Sequence, residues 1–240
     1  LTRILAIDTS SAWCSVALSL NDRAPSTRHQ KVSAGASQLL LPWVEELLSE
    51  TSSELTSLDA IAVGIGPGAF TGVRLGIAVV QGLATAARLP VLPVASLDAI
   101  ASQLVTKPSF ITTGSQSFVI AVDARMGEVY WAQYGFALNQ LPQRLGDIYL
   151  TTPELVDLQN VDYLAGSAIV EFGDRLFASI ENPFSSGQLD PDIGVSAEGV
   201  LACAQTMWNK GLQQDIHSLE PLYIRNKVAF TSAEQSLKNV

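Results

Sequence analysis

Cysteine and histidine are nearly absent: two of each in 240 residues. Cys14 and Cys203 sit in apolar runs without C-x-x-C spacing, which reads as buried free thiols and excludes a disulfide framework. His29 and His217 are equally isolated, so no metal site assembles from motif spacing. Positive charge is also scarce, with 14 Lys and Arg against 23 Asp and Glu, for a net charge of −9. Such a chain has no clustered cations to grip a polyanion, so any nucleic acid is held by something else. Gly, Pro, Arg and Gln interrupt every run that approaches the ~20 apolar residues of a membrane helix. The first residues read as a core strand rather than a leader, and the expectation is a soluble cytoplasmic protein.

What the chain does have is apolar side chains, at 48% of residues against 15% charged. That surplus points to a surface reserved for a partner. The most distinctive stretch is Ala62–Gly76, A-V-G-I-G-P-G-A-F-T-G-V-R-L-G, a strand end, a Gly-Pro-Gly turn and a helix start. Amides at such a junction invite a phosphate. However, Val73 and Arg74 come after Gly72 where a Walker loop needs Lys, and there is no Lys from Val32 to Leu104. A dinucleotide turn would put Pro67 inside its tight bend.

Arg3–Ile7 is an apolar run ending in Asp8-Thr9-Ser10-Ser11, after which apolar and polar residues alternate through Leu18. That is a hairpin with Asp8 at its turn. Phe118–Tyr134 repeats the layout with Asp123 at the turn, and a half-length repeat predicts a duplicated two-lobe protein. Residues 1–105 form the first lobe, 106–210 the second, and 211–240 a segment extended at first and mobile from Lys227 to Val240. Asn21–Ala34 reads as a polar connection and Thr106–Ser117 as a linker.

The first helix is expected near Ser37–Ser49, with Leu40, Val44 and Leu47 on its apolar stripe and Pro42 causing a kink or a late start. The second spans Thr71–Leu89. Its polar residues Arg74, Gln81, Thr85 and Arg88 fall on one narrow stripe, so it is buried on two sides, as a central core helix or against another subunit.

Asp8 and Asp123 occupy turns where actin-like and sugar-kinase ATPases keep their phosphate loops. The first turn, D-T-S-S-A-W, has no glycine, and the second, D-A-R-M-G-E, puts Arg125 and Met126 where phosphate enters. Asp8, Thr9, Ser10 and Asp123 therefore read as vestigial nucleotide-loop positions, with turn capping as the simpler alternative. No nucleophilic triad is legible, because Ser10, Ser11 and Ser15 have no histidine at a motif-defining position and G-x-S-x-G is absent.

Four ordered motifs, I-L-A-I-D-T-S (Ile4–Ser10), G-P-G-A-F-T-G-V-R-L-G (Gly66–Gly76), V-D-A-R-M-G-E-V-Y-W-A (Val122–Ala132) and E-P-L-Y-I-R-N (Glu220–Asn226), together resemble the TsaB, or YeaZ, family. The resemblance implies an α/β, two-lobed, actin-like and sugar-kinase-like (ribonuclease-H-like) duplicated fold. It also implies a role in forming threonylcarbamoyladenosine beside the anticodon of tRNAs reading codons that begin with A. On that reading the chain is a non-catalytic partner of the TsaD transferase, with no cofactor alone and ATP or ADP in the complex. TsaE joins in a nucleotide-dependent way, tRNA is met only through the complex, and the chain alone forms a homodimer through the same surface. The implied interface is Leu40, Val44 and Leu47 with Phe70, Thr71, Arg74, Leu75 and Val79. Family members often have His at the start of the first helix, where this sequence has Ala36. The rival expectation is an independent ATP-binding phosphotransferase or ATPase using Asp8 and Asp123; a peptidase has no residues to support it.

Overall fold

The structure is a computed structural model that describes residues 2–21, 23–32, 35–138, 140–178, 180 and 184–224. The expected tail, Lys227–Val240, and the last two residues of the Glu220–Asn226 motif lie outside the described residues.

Two sheets with the same topology account for the repeat. In the first, β1 (Arg3–Asp8) pairs antiparallel with β2 (Trp13–Leu20), which pairs with β3 (Ser26–Lys31). On its other side β1 runs parallel to β4 (Ala60–Gly64), and β4 to β5 (Val91–Val94), giving the order β3-β2-β1-β4-β5. In the second, β6 (Ser117–Asp123) pairs antiparallel with β7 (Val129–Gly135), which carries β8 (Gln143–Arg144) and β9 (Tyr149–Thr151). On its other side β6 runs parallel to β10 (Tyr163–Ala165), and β10 to β11 (Leu189–Asp190), giving β11-β10-β6-β7-β8.

The strands are apolar at consecutive positions because both faces are covered. Leu5 and Ile7 of β1 face outward onto α1 (Ala36–Glu50) and α2 (Phe70–Ala87). Ile4 and Ala6 face inward onto α3 (Ser96–Leu104) and α6 (Ala197–Asn209). α3, packed along α6, also meets the inner face of the second sheet at β6 and β7, the strands that carry Phe118, Ile120 and Tyr134. The outer face of that sheet is covered by α5 (Ala168–Phe172) and the residues after it, around Leu164, Ala168 and Leu176. α3 and α6 are thus a layer shared by both lobes. A boundary at residue 210 assigns α6 wholly to the second lobe, whereas it packs against the first sheet's β1, β2, β4 and β5. Ser196 caps it, its side chain accepting from the Gly199 amide.

Three segments differ from expectation. The polar connection contains β3, a sheet-edge strand whose S-T-R-H-Q-K residues, half-buried in its first half and exposed in its second, carry no apolar alternation. The linker contains α4 (Pro108–Ile111), whose buried Phe110 packs edge-on against Phe118, Phe136 and Tyr163. α1 begins at Ala36, ahead of Pro42, so there is no late start.

Candidate functional site

β1 and β4 run in register with Ile7 against Val63, which sets Asp8 beside Gly64. The Asp8 carboxylate is fully buried and accepts from the Ser10 amide at 3.1 Å and from Ser10 Oγ at 2.9 Å. Burial pushes its pKa from the usual carboxylate range up to about 7, against the pull of the Ser10 bonds. With Ser10 Oγ donating to Asp8, Ser96 Oγ at the start of α3 donates to Ser10 across 2.9 Å.

The glycine-rich segment lies directly on this turn. The Ala69 amide donates to the Ser10 carbonyl at 2.6 Å, and Thr9 Oγ1 donates to the Gly72 carbonyl at 2.7 Å. A Cβ at Gly68 would run into the Ser10 carbonyl, and one at Gly72 into the Thr9 carbonyl. These glycines serve backbone-on-backbone contact, so the loop covers the place where a phosphate would approach Asp8.

The second turn stands open. Asp123 accepts from the Arg125 amide at 2.7 Å and pairs with the Arg125 guanidinium at 3.1 Å, while its own amide donates to Ser167 Oγ at 3.0 Å. Arg125, Met126 and Gly127 all have positive φ, at 63°, 59° and 77°. Both turns border a cleft of about 970 Å³ lined by Ser10, Ser96, Asp123, Met126, Tyr130 and Leu222 among others. Among the described residues, no group of three or more His, Cys, Asp or Glu side chains is placed to hold a metal ion.

The helices correct the interface expectation. Leu40, Val44 and Leu47 are 0, 3 and 0% exposed, in the core against the first sheet. Helical periodicity marks the buried face of α1, and here the sheet already occupies it. Beside that face, Leu41, Leu48, Leu55 and Leu83 line a hollow of about 570 Å³ between α1 and α2. On α2, Val73, Ile77 and Val80 turn inward, Phe70, Thr71 and Arg74 are exposed, and Leu75 and Val79 are half-buried. Only 28% of α2 is buried, so the second covered side expected for it is not supplied by the described residues. Against expectation, α2 is also long and apolar enough by length and composition to cross a membrane; it lies on β4 and β1.

Arg74 stacks 3.7 Å over the Phe70 ring and donates twice to Tyr223 Oη, at 3.2 and 2.9 Å. The next residue back, Leu222, donates its amide to the Ile65 carbonyl at 2.8 Å. The E-P-L-Y-I segment thus straps the entry to α2, a role its sequence did not announce.

The structure also brings together a pair that spacing did not. His29 Nδ1 lies 3.0 Å from Ser15 Oγ across the β2–β3 ladder, with the His29 ring stacked on Trp13. Ser15 is buried, and its oxygen accepts the Ala197 amide at 2.9 Å. Burial lowers the His29 pKa, and the arrangement staples β2 to α6 rather than presenting a nucleophile.

Two sheets of one topology, a cleft between them and an aspartate-bearing turn on each side define an actin-like, sugar-kinase-like fold, the ribonuclease-H-like unit doubled. A family model described as TsaD, tRNA N6-adenosine threonylcarbamoyltransferase, matches residues 29–236. The chain is 35% identical over 230 residues to the tRNA threonylcarbamoyladenosine biosynthesis protein TsaB of Escherichia coli (strain K12), covering 95% of this chain and 96% of that protein. The solved structure of YeaZ from Pseudomonas aeruginosa superposes with a TM-score of 0.79 at 33% identity, covering 93% of this chain and all of that one. Another, of a P. aeruginosa protein described as similar to peptidase YEAZ, gives 0.82 at 34% identity, covering 94% and 100%. The chain belongs to the TsaB (YeaZ) family.

Proposed function

We propose that the chain is a non-catalytic subunit in the formation of threonylcarbamoyladenosine beside the anticodon of tRNAs reading codons that begin with A, and that it acts by docking onto the TsaD transferase. The observation that carries this is the glycine-rich segment seated on Thr9 and Ser10, with Asp8 buried beneath. A nucleotide loop closed in this way supports a binding role over phosphoryl transfer. The net charge of −9 agrees with tRNA being held by the assembly rather than by this chain. Phe70, Thr71, Arg74, Leu75 and Val79 form the contact, and the α1 hollow around Leu41 and Leu48 takes the place of the buried Leu40, Val44 and Leu47. One apolar face serves the homodimer or the heterodimer, so the two compete. TsaE then joins with ATP or ADP in the complex.

The test is Leu75→Glu or Val79→Glu, with TsaD affinity and tRNA modification both measured. Loss of both is expected, and unchanged binding would remove the interface from this face. The open Asp123 turn on a cleft of ligand size favours one second reading, an ATP-binding enzyme. Calorimetry with ATP and Mg²⁺ on the isolated chain decides it: tight binding that disappears in Asp123→Ala would replace the proposal.

A further inference from the structure

Three large apolar side chains stand exposed at the mouth of the inter-lobe cleft, each from a different part of the chain. Phe70 begins α2 at 43% exposure, Met126 tips the β6–β7 turn at 42%, and Tyr223 lies on the C-terminal strap at 54%. Arg74 joins two of them, stacked on Phe70 and bonded to Tyr223. Aromatic rings, methionine and arginine gathered in one concave place are the composition of an interface centre.

Met126 carries the argument further. The Glu128 amide donates to the Arg125 carbonyl at 3.2 Å, closing a turn whose central residues, Met126 and Gly127, both have positive φ. Such turns favour Asn-Gly or Asp-Gly, and a long side chain at the first central position is disfavoured. A long apolar side chain at a turn position that favours Asn or Asp, and 42% exposed, presents apolar surface at the cleft mouth.

Phe70 and Arg74 belong both to this mouth and to the exposed face of α2, so the two surfaces are continuous. We infer that the docking surface extends from α2 across the cleft mouth to Met126, so that one TsaD-type partner touches both lobes, with Phe70, Met126 and Tyr223 as apolar anchors. This rests on the docking reading above. Lys31, Arg74 and Arg125 share the cleft with Asp123, Glu171 and Asp192, so neither sign dominates and the contribution of Met126 varies little with salt.

The experiment uses the full chain and the TsaD protein of the same organism, titrated calorimetrically. Met126→Asn installs the side chain the turn prefers, so the thermal midpoint holds or rises while affinity for TsaD falls about tenfold, equally at low and high salt. Affinity within twofold of the parent, alongside lost binding in Leu75→Glu, overturns the extension and leaves the docking reading standing. If Leu75→Glu also binds normally, the docking reading itself falls. A Met126→Asn chain that self-associates less but binds TsaD normally assigns the mouth to a second copy and overturns the inference. Should Met126→Asn lower the midpoint, Tyr223→Ser carries the same comparison.

Discussion

The β1–β2 and β6–β7 turns are the same place in two copies of one sheet, yet they have opposite surroundings. Asp8 is sealed under the α2 entry and bonded only within the protein, whereas Asp123 opens on the cleft and is paired with a guanidinium that is itself 83% exposed. The difference comes from the segment beyond the neighbouring parallel strand. After β4 the chain lays Gly68 and Gly72 on the turn; after β10 it places Ser167, whose hydroxyl accepts the Asp123 amide, and the carboxylate, 12% exposed, borders the cleft beside Arg125. Duplication fixed where the aspartates sit, and the covering segment determines what they can do.

The severest way to break this contrast is Gly72→Val. Its side chain has to displace the Thr9 backbone, so the cost lies at or beyond the upper end of the ~1–3 kcal/mol of ordinary overpacking, and circular dichroism melts should show a strongly lowered midpoint or no folded chain.

The buried carboxyl gives a pH signature of similar size. Asp8 titrates near 3.8 when unfolded and near 7 when folded. The folded state therefore holds the proton more tightly, and the stability from protonated Asp8 is full below pH 4 and lost as pH rises to 7. That loss is about 4 kcal/mol, relative to an Asp8→Asn chain that lacks the titration. Urea unfolding of both chains from pH 4 to 8 measures it, and parallel curves would deny the shift.

Removing the Ser96 hydroxyl by Ser96→Ala takes one bond from Ser10 at the same junction and should cost about 1 kcal/mol in the same assay. The smallest effect is on the open side. Asp123→Asn weakens an ion pair whose guanidinium is 83% exposed, although the carboxylate is only 12% exposed, and should change stability by no more than about 1 kcal/mol. A larger loss would mean that the second turn is as integral as the first.

Much of this contrast was legible in the residues. The repeated strand, aspartate and strand disclosed both sheets, and the missing lysine argued against a phosphate cradle. The glycines at 64, 68, 72 and 76 recur every four residues and all approach the Asp8–Ser10 turn, against backbone at Gly68 and Gly72 and against side chains at Gly64 and Gly76, but that turn sits more than fifty residues away in sequence. β3 was hidden because an edge strand facing water needs no apolar face. The stripe on α1 was read correctly as apolar and wrongly as a contact, since periodicity identifies the covered face without saying what covers it. Tyr223 could not be placed, because its partner Arg74 is 149 residues distant.

The shared layer of α3 and α6 has a consequence for synthesis. β1 ends at Asp8 and the helix that covers its inner face begins at Ala197, almost the whole chain later. While the ribosome makes the intervening residues, Ile4, Ala6 and Ala17 have no α6 to rest on, and the staple from Ser15 to the Ala197 amide cannot form. The first sheet is therefore completed by a helix that emerges long after its own strands. Chains released before Asn209 should be captured by chaperones or degraded, rather than persisting as a folded first lobe.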